Sequence, residues 1–244
     1  MNPHPYIIGS GYHTRHGARG DSLAWFYGLW EANTLKYADP FAIYVMASGD
    51  GMVPEATHPL VYWVPILGDL GHCGDLLSGR KPYHFPGAVA DWMILAMIAY
   101  ANECDLIYKE QDLLAFGPYV EAMYSQIGKH GFIFGRQQCM PCNNSLWLVK
   151  HSFIPELVRL YLDTPRENTP DQIGELKFVR LEREHPEAFC RYDFGVDRDR
   201  PLPYDTPVWC AQKFTPEELL QIREKGLIEF DQMPEGLPQF SNSP

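Results

Sequence analysis

The sequence predicts an α/β fold in which a mostly parallel central sheet is flanked by helices. Two observations predict it: short apolar runs alternate along the chain with longer segments of helical character, and polar breaks separate them. Strands that alternate with helices usually pair in parallel. Ligands of such sheets bind beyond the carboxyl ends of the strands, so the segments that follow the strands are the candidate binding loops.

The amino-terminal half contains four predicted strands and two predicted helices. A helix capped by Asp21 or Ser22 follows the first strand and stops before Pro40, because proline disfavours a helical conformation in the residue before it. The apolar run from 88 to 102 is long enough for a buried helix. The four predicted strands cover 6–8, 41–47, 61–66 and 106–108.

The carboxyl-terminal half continues the alternation. Thr215, Pro216 and Glu218 form the pattern of a capping box with proline in the first turn, so a helix is expected from there to Gly226. Residues 191–204 are charged and contain prolines, which predicts a loop. The remaining predicted helices cover 118–127, 153–162 and 170–185, and the remaining strands cover 132–134, 145–149 and 208–211. We expect residues 1–232 to form one domain and 233–244 an extended tail.

Composition narrows the classes of function. The 244 residues are 45% hydrophobic and carry a formal net charge of −11, with a pI of about 5.2. This acidity argues against nucleic acid or an anionic membrane as a partner, because both require a basic face. No apolar run is long enough to be a transmembrane segment, and the N-terminus lacks the pattern of a signal peptide. A cytoplasmic location is therefore expected.

An acidic pair follows the fourth predicted strand. Glu110 and Asp112 are one residue apart, and alternate side chains of a strand point to the same side. Two converging carboxylates form a site of hard oxygen ligands that suits Mg²⁺ or Mn²⁺ better than Zn²⁺. Such an ion can bind a diphosphate and offset the charge that builds up on it.

The order of these features resembles the glycosyltransferases of the GT-A fold, which use nucleotide sugars. The first strand ends in Tyr12 and a cationic loop, the second ends in Asp50, and the acidic pair follows a buried helix, as the metal-binding DxD element does in that family. Residues 142–150 and 209–214 resemble later elements of the same fold. The acidic element differs from the usual one, because it reads Glu-Gln-Asp, and no histidine follows His185, where many members supply a late ligand.

The resemblance implies a donor, an acceptor, a cofactor and a set of site residues. The donor would be a nucleotide-diphosphate sugar and the acceptor a hydroxyl of a glycan or another molecule. Asp112 and Glu110 would hold Mn²⁺ or Mg²⁺. Residues implied to bind the nucleotide sugar are Tyr12, His13, Arg15, Arg19, Asp50, Asp91, Glu110, Gln111, Asn144, Gln212 and Lys213.

A catalytic base is expected if the transfer inverts the sugar's configuration, because a carboxylate must then remove the acceptor's proton. The candidates are Asp193, which stands between aromatic residues, and Glu187. Several of the implied positions also have an ordinary interpretation: Arg15 and Arg19 as a solvated loop, and Asn144 as a turn.

Two other functions are consistent with the same residues. A nucleotidyltransferase-like enzyme would share the acidic pair, and a non-catalytic module that binds nucleotides or glycans would share the aromatic residues. The sequence contains no G-x-x-x-x-G-K-[ST] motif, which argues against a P-loop nucleotidase.

Overall fold

A computed structural model describes residues 4–14, 20–49, 58–65, 87–136, 143–163, 174–197, 199–231 and 233. The strands in these residues are β1 (Tyr6–Thr14), β2 (Ala42–Gly49), β3 (Val61–Pro65), β4 (Asp105–Lys109), β5 (Leu113–Phe116), β6 (Phe132–Gly135), β7 (Asn143–Val149), β8 (Phe189–Tyr192), β9 (Gly195–Asp197) and β10 (Trp209–Gln212). The helices are α1 (Gly20–Tyr37), α2 (Gly87–Ala101), α3 (Tyr119–Ile127), α4 (Ile154–Asp163), α5 (Gly174–Glu184) and α6 (Pro216–Glu224).

A seven-stranded central sheet has the order β3-β2-β1-β4-β7-β6-β8. Only β7 runs against the other six, since β1 to β4 are parallel, β7 is antiparallel to β4 and β6, and β8 is parallel to β6. The predicted α/β class and mostly parallel sheet are therefore confirmed. The carboxyl ends of the six parallel strands, and the amino end of β7, share one edge of the sheet, which we call the carboxyl edge.

Both faces of the central sheet are covered. On one face, Ile8 of β1 joins a core with Trp30 of α1 and the strands of a second, smaller sheet. On the other face, Ile7 joins a core with Leu95 of α2 and Phe178 of α5. Successive residues of β1 therefore enter different cores, which explains why the strand reads as a continuous apolar run.

The second sheet has three strands, in the order β5-β10-β9. Of these strands, β10 was predicted from the sequence, but β5 and β9 were not. The loop predicted over 191–204 was wrong at its start, where β8 ends and β9 follows. Leu113–Phe116 is only four residues long and pairs antiparallel with Trp209–Gln212, far away in sequence. So short a run carries too little periodicity to identify a strand without its partner.

The capping box predicted for α6 is confirmed. Thr215 accepts a hydrogen bond through Oγ1 from the backbone N–H of Glu218 at 3.2 Å, and the Glu218 carboxylate accepts one from the backbone N–H of Thr215 at 2.9 Å. None of the helices in the described ranges is long and apolar enough to cross a membrane.

Gly117 provides a test of how β5 is connected to α3. Its φ is +71°, and a Cβ built there would lie 1.8 Å from the carbonyl oxygen of Pro207. We expect Gly117→Ala to lower the free energy of unfolding by roughly 2 kcal/mol or more, through both strain and steric overlap.

Gly28→Ala is the matched control, because Gly28 lies within α1 and a Cβ added to it would have no neighbouring atom within 4 Å. Alanine favours helix over glycine by roughly 0.5–1 kcal/mol, so this variant should be at least as stable as the parent. Urea unfolding of both variants measures the difference. Equal stability of the two would contradict the backbone assigned to Gly117.

Candidate functional site

The acidic pair lies on a tight turn that joins the two sheets. Glu110 follows β4 of the central sheet, and Asp112 precedes β5 of the smaller one. The backbone N–H of Leu113 donates to the carbonyl oxygen of Glu110 at 3.1 Å and closes the turn, while the N–H of Glu110 donates to the carbonyl oxygen of Ser145 at 2.8 Å. Both carboxylates are thereby fixed at the carboxyl edge of the central sheet.

Gln212 bridges the two carboxylates. Its side-chain nitrogen Nε2 donates to Glu110 Oε2 at 2.7 Å and to Asp112 Oδ1 at 2.8 Å. Gln212 is only 2% exposed, so the amide reaches the acidic pair from inside the protein. Ionised carboxylates only accept hydrogen bonds, and one NH₂ group can donate to both of them. The amide hydrogens therefore occupy the point on which the two acids converge.

The end of β10 is held in place by Arg200. Its guanidinium donates to the carbonyl oxygens of Gln212 and Lys213 at 3.0 and 3.1 Å, and forms an ion pair with Glu218. Lys213 has a φ of +54°, a left-handed conformation that is uncommon for a residue with a side chain. Such backbone persists only where its surroundings hold it, and here the arginine contacts both carbonyl groups around it.

A third acid lies near the pair. Asp91, near the start of α2, is 1% exposed, and burial raises its pKa from 3.8 to about 7. Burial also raises the pKa of the neighbouring Tyr108, and the charges of Glu110, Asp91 and Asp112 raise it further. All three acids therefore interact electrostatically with one tyrosine hydroxyl.

Tyr12 forms part of a wall at the carboxyl edge. It is 3% exposed and packs edge-on against Tyr27 and Trp63, with ring centroids 5.5 and 5.4 Å away. Burial raises the pKa of the Tyr12 hydroxyl. Little of its ring is open to stack on a ligand.

The other implied binding residues fall into two groups. The backbones of His13, in β1, and Asn144, in β7, lie towards the same edge, and Gln111 is in the turn between the two acids. Arg15, Arg19 and Asp50 lie outside the described residues.

The structure does not bring the two candidate bases to the acidic pair. Tyr192 and Phe194 are buried and stack at 4.2 Å, so strand alternation leaves Asp193 exposed, where it accepts a hydrogen bond from Gln126 of α3 at 3.2 Å. Glu187 precedes β8 at the opposite edge of the sheet, with its side chain 72% exposed, 3.9 Å from His185. The aromatic neighbours of Asp193 in sequence do not surround it, because they point to the other side.

Within the part of the chain that the structure describes, the side chains at this turn offer oxygen ligands to a cation. Among the described residues, no group of three or more His, Cys, Asp and Glu side chains is arranged to hold a metal ion. Glu110 and Asp112 supply two carboxylates, and the oxygen of the Gln212 amide would be a third ligand if the amide rotated to present it. All three are hard donors of the kind that Mg²⁺ and Mn²⁺ take.

Substitutions at Gln212 test the bridge. Gln212→Met removes the donor and leaves two partly buried acids without it, which should cost roughly 1–3 kcal/mol of unfolding free energy at pH 7. Gln212→Glu places a third carboxylate beside them and should be less stable still, because like charges repel.

The difference between these two variants should shrink at pH 4, where carboxylates take up protons. Urea unfolding at both pH values measures it. If Gln212→Glu were as stable as Gln212→Met at pH 7, the acids would not converge on position 212.

Asp91 predicts a pH dependence of stability. The native state keeps this proton up to pH about 7, whereas the unfolded chain releases it near 3.8. The native state therefore binds more protons between these values, and stability falls as pH rises through that window. The loss amounts to roughly 4 kcal/mol at most.

Asp91→Asn should remove this fall and be more stable than the parent at pH 8. Asp205→Asn is the control, because the Asp205 side chain is 99% exposed, and it should change stability by less than about 0.5 kcal/mol. Urea unfolding from pH 4 to 8 provides the test, and a parental slope that persists in Asp91→Asn would contradict the assignment.

Comparison with known proteins identifies the fold. No family model matches the chain, and no curated protein sequence matches it. Among solved structures, the galactosyltransferase LgtC in complex with donor and acceptor sugar analogs is 11% identical, with a TM-score of 0.52, over 94% of this chain and 98% of that one. An active-site mutant of LgtC, with glutamate in place of glutamine, is also 11% identical, with a TM-score of 0.54, over 96% and 99%.

The glycosyltransferase GlyE of Streptococcus pneumoniae, in its apo form, is 9% identical, with a TM-score of 0.52, over 88% of this chain and 56% of that one. The two similarities to LgtC extend over nearly the whole chain. The chain has the GT-A-type fold of these glycosyltransferases.

Proposed function

We propose that this protein is a glycosyltransferase that moves a sugar from a nucleotide-diphosphate sugar to an acceptor hydroxyl in glycan assembly. The observation that carries the proposal is the convergence of Glu110 and Asp112 on Gln212 at the carboxyl edge of a GT-A-type sheet. Ligands of parallel sheets bind at this edge. LgtC, which shares the fold, has been solved with donor and acceptor sugar analogs.

The acidic pair suits a divalent cation. Glu110 and Asp112 would hold Mn²⁺ or Mg²⁺, because their carboxylates already converge on a group that carries partial positive charge. When bound, the cation would offset the negative charge that builds up on the departing nucleoside diphosphate. The net charge of −11 makes such compensation more important, because a diphosphate approaching this protein meets an unfavourable overall field.

The chain's own residues would orient the donor. Lys213 follows Gln212 directly in the chain, and we assign its ammonium group to the diphosphate. Tyr12 and Trp63 would form a rigid wall beside the nucleoside. His13, Arg15, Arg19, Asp50, Gln111 and Asn144 complete the proposed donor contacts. Asp91, which is buried near the start of α2, is assigned to the same donor site.

Glu187 is not part of the proposed site, because it lies at the edge of the sheet opposite the acidic pair. Asp193 also has its described contact elsewhere, with α3. The proposal therefore assigns no general base and applies equally to a retaining or an inverting transfer.

A thermal-shift experiment tests the donor site. The protein is heated with UDP, GDP, CDP, ADP or TDP, with and without MnCl₂. A nucleotide at about 100 times its Kd stabilises the native state by roughly 2.7 kcal/mol, which corresponds to a rise in Tm of about 5 °C or more for a domain of this size. We expect one nucleotide to give such a rise, and Mn²⁺ to increase it.

Asp112→Asn should abolish the part of the shift that depends on Mn²⁺. Asp193→Asn is the matched control and should keep it, because that side chain is exposed and bonded to Gln126. If no nucleoside diphosphate shifted the Tm in either condition, the proposed function would be wrong.

Enzyme and binding module are then separated by chemistry. The protein is incubated with a panel of nucleotide sugars that contain the stabilising nucleotide. Release of the nucleoside diphosphate is then measured over hours. Slow hydrolysis without an acceptor indicates a transferase, whereas binding without release indicates a module. Release of pyrophosphate from a nucleoside triphosphate and a sugar phosphate would instead identify a nucleotidyltransferase.

A further inference from the structure

We infer that Lys109 is a positioning residue, which fixes the acidic turn by joining the two sheets on either side of it through Asn33. The inference depends on the proposed function for the identity of the ligand, but the geometry it describes is independent of any ligand. Lys109 is the last residue of β4 and immediately precedes Glu110.

Lys109 is fully buried at 0% exposure, among neutral groups. Its ammonium nitrogen Nζ donates to Asn33 Oδ1 and to Thr34 Oγ1, both at 2.7 Å, and lies 5.0 Å from the centre of the Trp30 ring. All three partners belong to α1. Burial lowers the pKa of Lys109 well below its usual range.

Asn33 carries the connection onward to the second sheet. Its Nδ2 donates to the carbonyl oxygen of Ala115 at 2.9 Å, and its Oδ1 accepts from the backbone N–H of Ala115 at 3.0 Å. These two bonds satisfy the backbone N–H and carbonyl groups of Ala115, as the backbone of a neighbouring strand would. β5 pairs with β10 along one edge, and Asn33 binds its other edge at Ala115.

The positions of the Glu110, Asp112 and Gln212 side chains depend on these hydrogen bonds of Lys109 and Asn33, which we call the joint. Glu110 comes from the end of β4, Asp112 from the start of β5, and Gln212 from β10, where it lies opposite Leu113 in the ladder. Lys109 and Asn33 connect β4 to β5 through α1, across the base of the turn. A change in the separation of the two strands would change the distances from Gln212 Nε2 to the two carboxylates.

A packing role alone would favour a different residue. Burying an amine among neutral partners is unfavourable unless each of its hydrogen bonds is made, and methionine has a similar length without that cost. What lysine provides and methionine does not is a directional bond to Asn33, which fixes the amide that holds Ala115. The contacts therefore indicate that Lys109 serves to position the acidic turn rather than to raise the stability of the fold.

Three substitutions separate positioning from packing. Lys109→Met keeps the volume but removes the bond to Asn33, and Asn33→Leu removes both bonds to Ala115. Thr34→Val is the matched control: Thr34 is equally buried and its substitution also removes a bond to Lys109, but the Thr34 hydroxyl donates to the carbonyl oxygen of Trp30 within its own helix rather than to β5. Lys109→Gln retains a donor and serves if Lys109→Met does not fold.

The first readout needs no ligand. In ¹⁵N NMR spectra, the side-chain amide of Gln212, assigned by its absence in Gln212→Met, should exchange slowly with solvent because it is buried and donates to two carboxylates. We expect exchange at least about tenfold faster in Lys109→Met and Asn33→Leu, and little changed in Thr34→Val.

The second readout is the affinity for the stabilising nucleoside diphosphate in the presence of Mn²⁺, measured by calorimetry. It should fall about tenfold in Lys109→Met and Asn33→Leu, equivalent to about 1.4 kcal/mol, and less than twofold in Thr34→Val. If the parent protein binds no nucleotide, the proposed function fails while amide exchange still tests the joint.

Two results would overturn the inference. One is a Gln212 amide whose exchange in Lys109→Met and Asn33→Leu equals that of the parent. The other is a Thr34→Val protein that loses protection as much as they do at equal unfolding free energy, because a general loss of packing would then explain the effect.

Discussion

The arrangement of the site depends on one interaction, the sharing of the Gln212 amide between Glu110 and Asp112. Two carboxylates on a short turn repel each other, and water would normally separate them. A buried NH₂ group offers one hydrogen to each, so that hydrogen bonding offsets the repulsion and draws both acids toward one point. The other contacts around the site hold that amide in place.

Several of those contacts are nonlocal. β10 is paired with β5 on one side and with β9 on the other, so Gln212 extends from the middle strand of a sheet rather than from a free edge. Arg200 then fixes the backbone just beyond it, and Glu218 both pairs with Arg200 and caps α6. The Glu218 carboxylate thereby links the loop before β10 to the helix after it. Both segments help to hold the end of β10 in place.

Local sequence patterns were sufficient for much of the fold. β4 and α2 are apolar and bounded by polar residues, and α6 begins with a cap whose partners are three residues apart, so each could be recognised within its own segment. The convergence of Glu110 and Asp112 was also predicted, although a turn and a distant glutamine produce it rather than a continuous strand.

The features that local patterns could not predict depend on contacts between residues far apart in the sequence. The partner of Gln212 is about a hundred residues away, and the partners of Lys109 are more than seventy residues away, so no window of sequence contains them. A lysine after Leu-Ile-Tyr reads as the solvated end of a strand, yet it is buried. Asp193 shows the opposite error: aromatic neighbours suggested an enclosed acid, but alternation turned Tyr192 and Phe194 inward and left the acid outside.

At 11% identity with LgtC, the chain retains the backbone arrangement but few of the side chains. Strand order and the position of the carboxyl edge follow from apolar pattern and connection handedness, which many sequences satisfy. The chemistry at that edge depends on single side chains, and these can change without altering the sheet. An amide between two acids keeps the electrostatic character of a cation site, because its hydrogens carry positive charge, so Glu110 and Asp112 can remain together whether or not an ion is bound. The acidic turn is thus already assembled by hydrogen bonds in the folded protein, so that binding at this turn would not have to order it first.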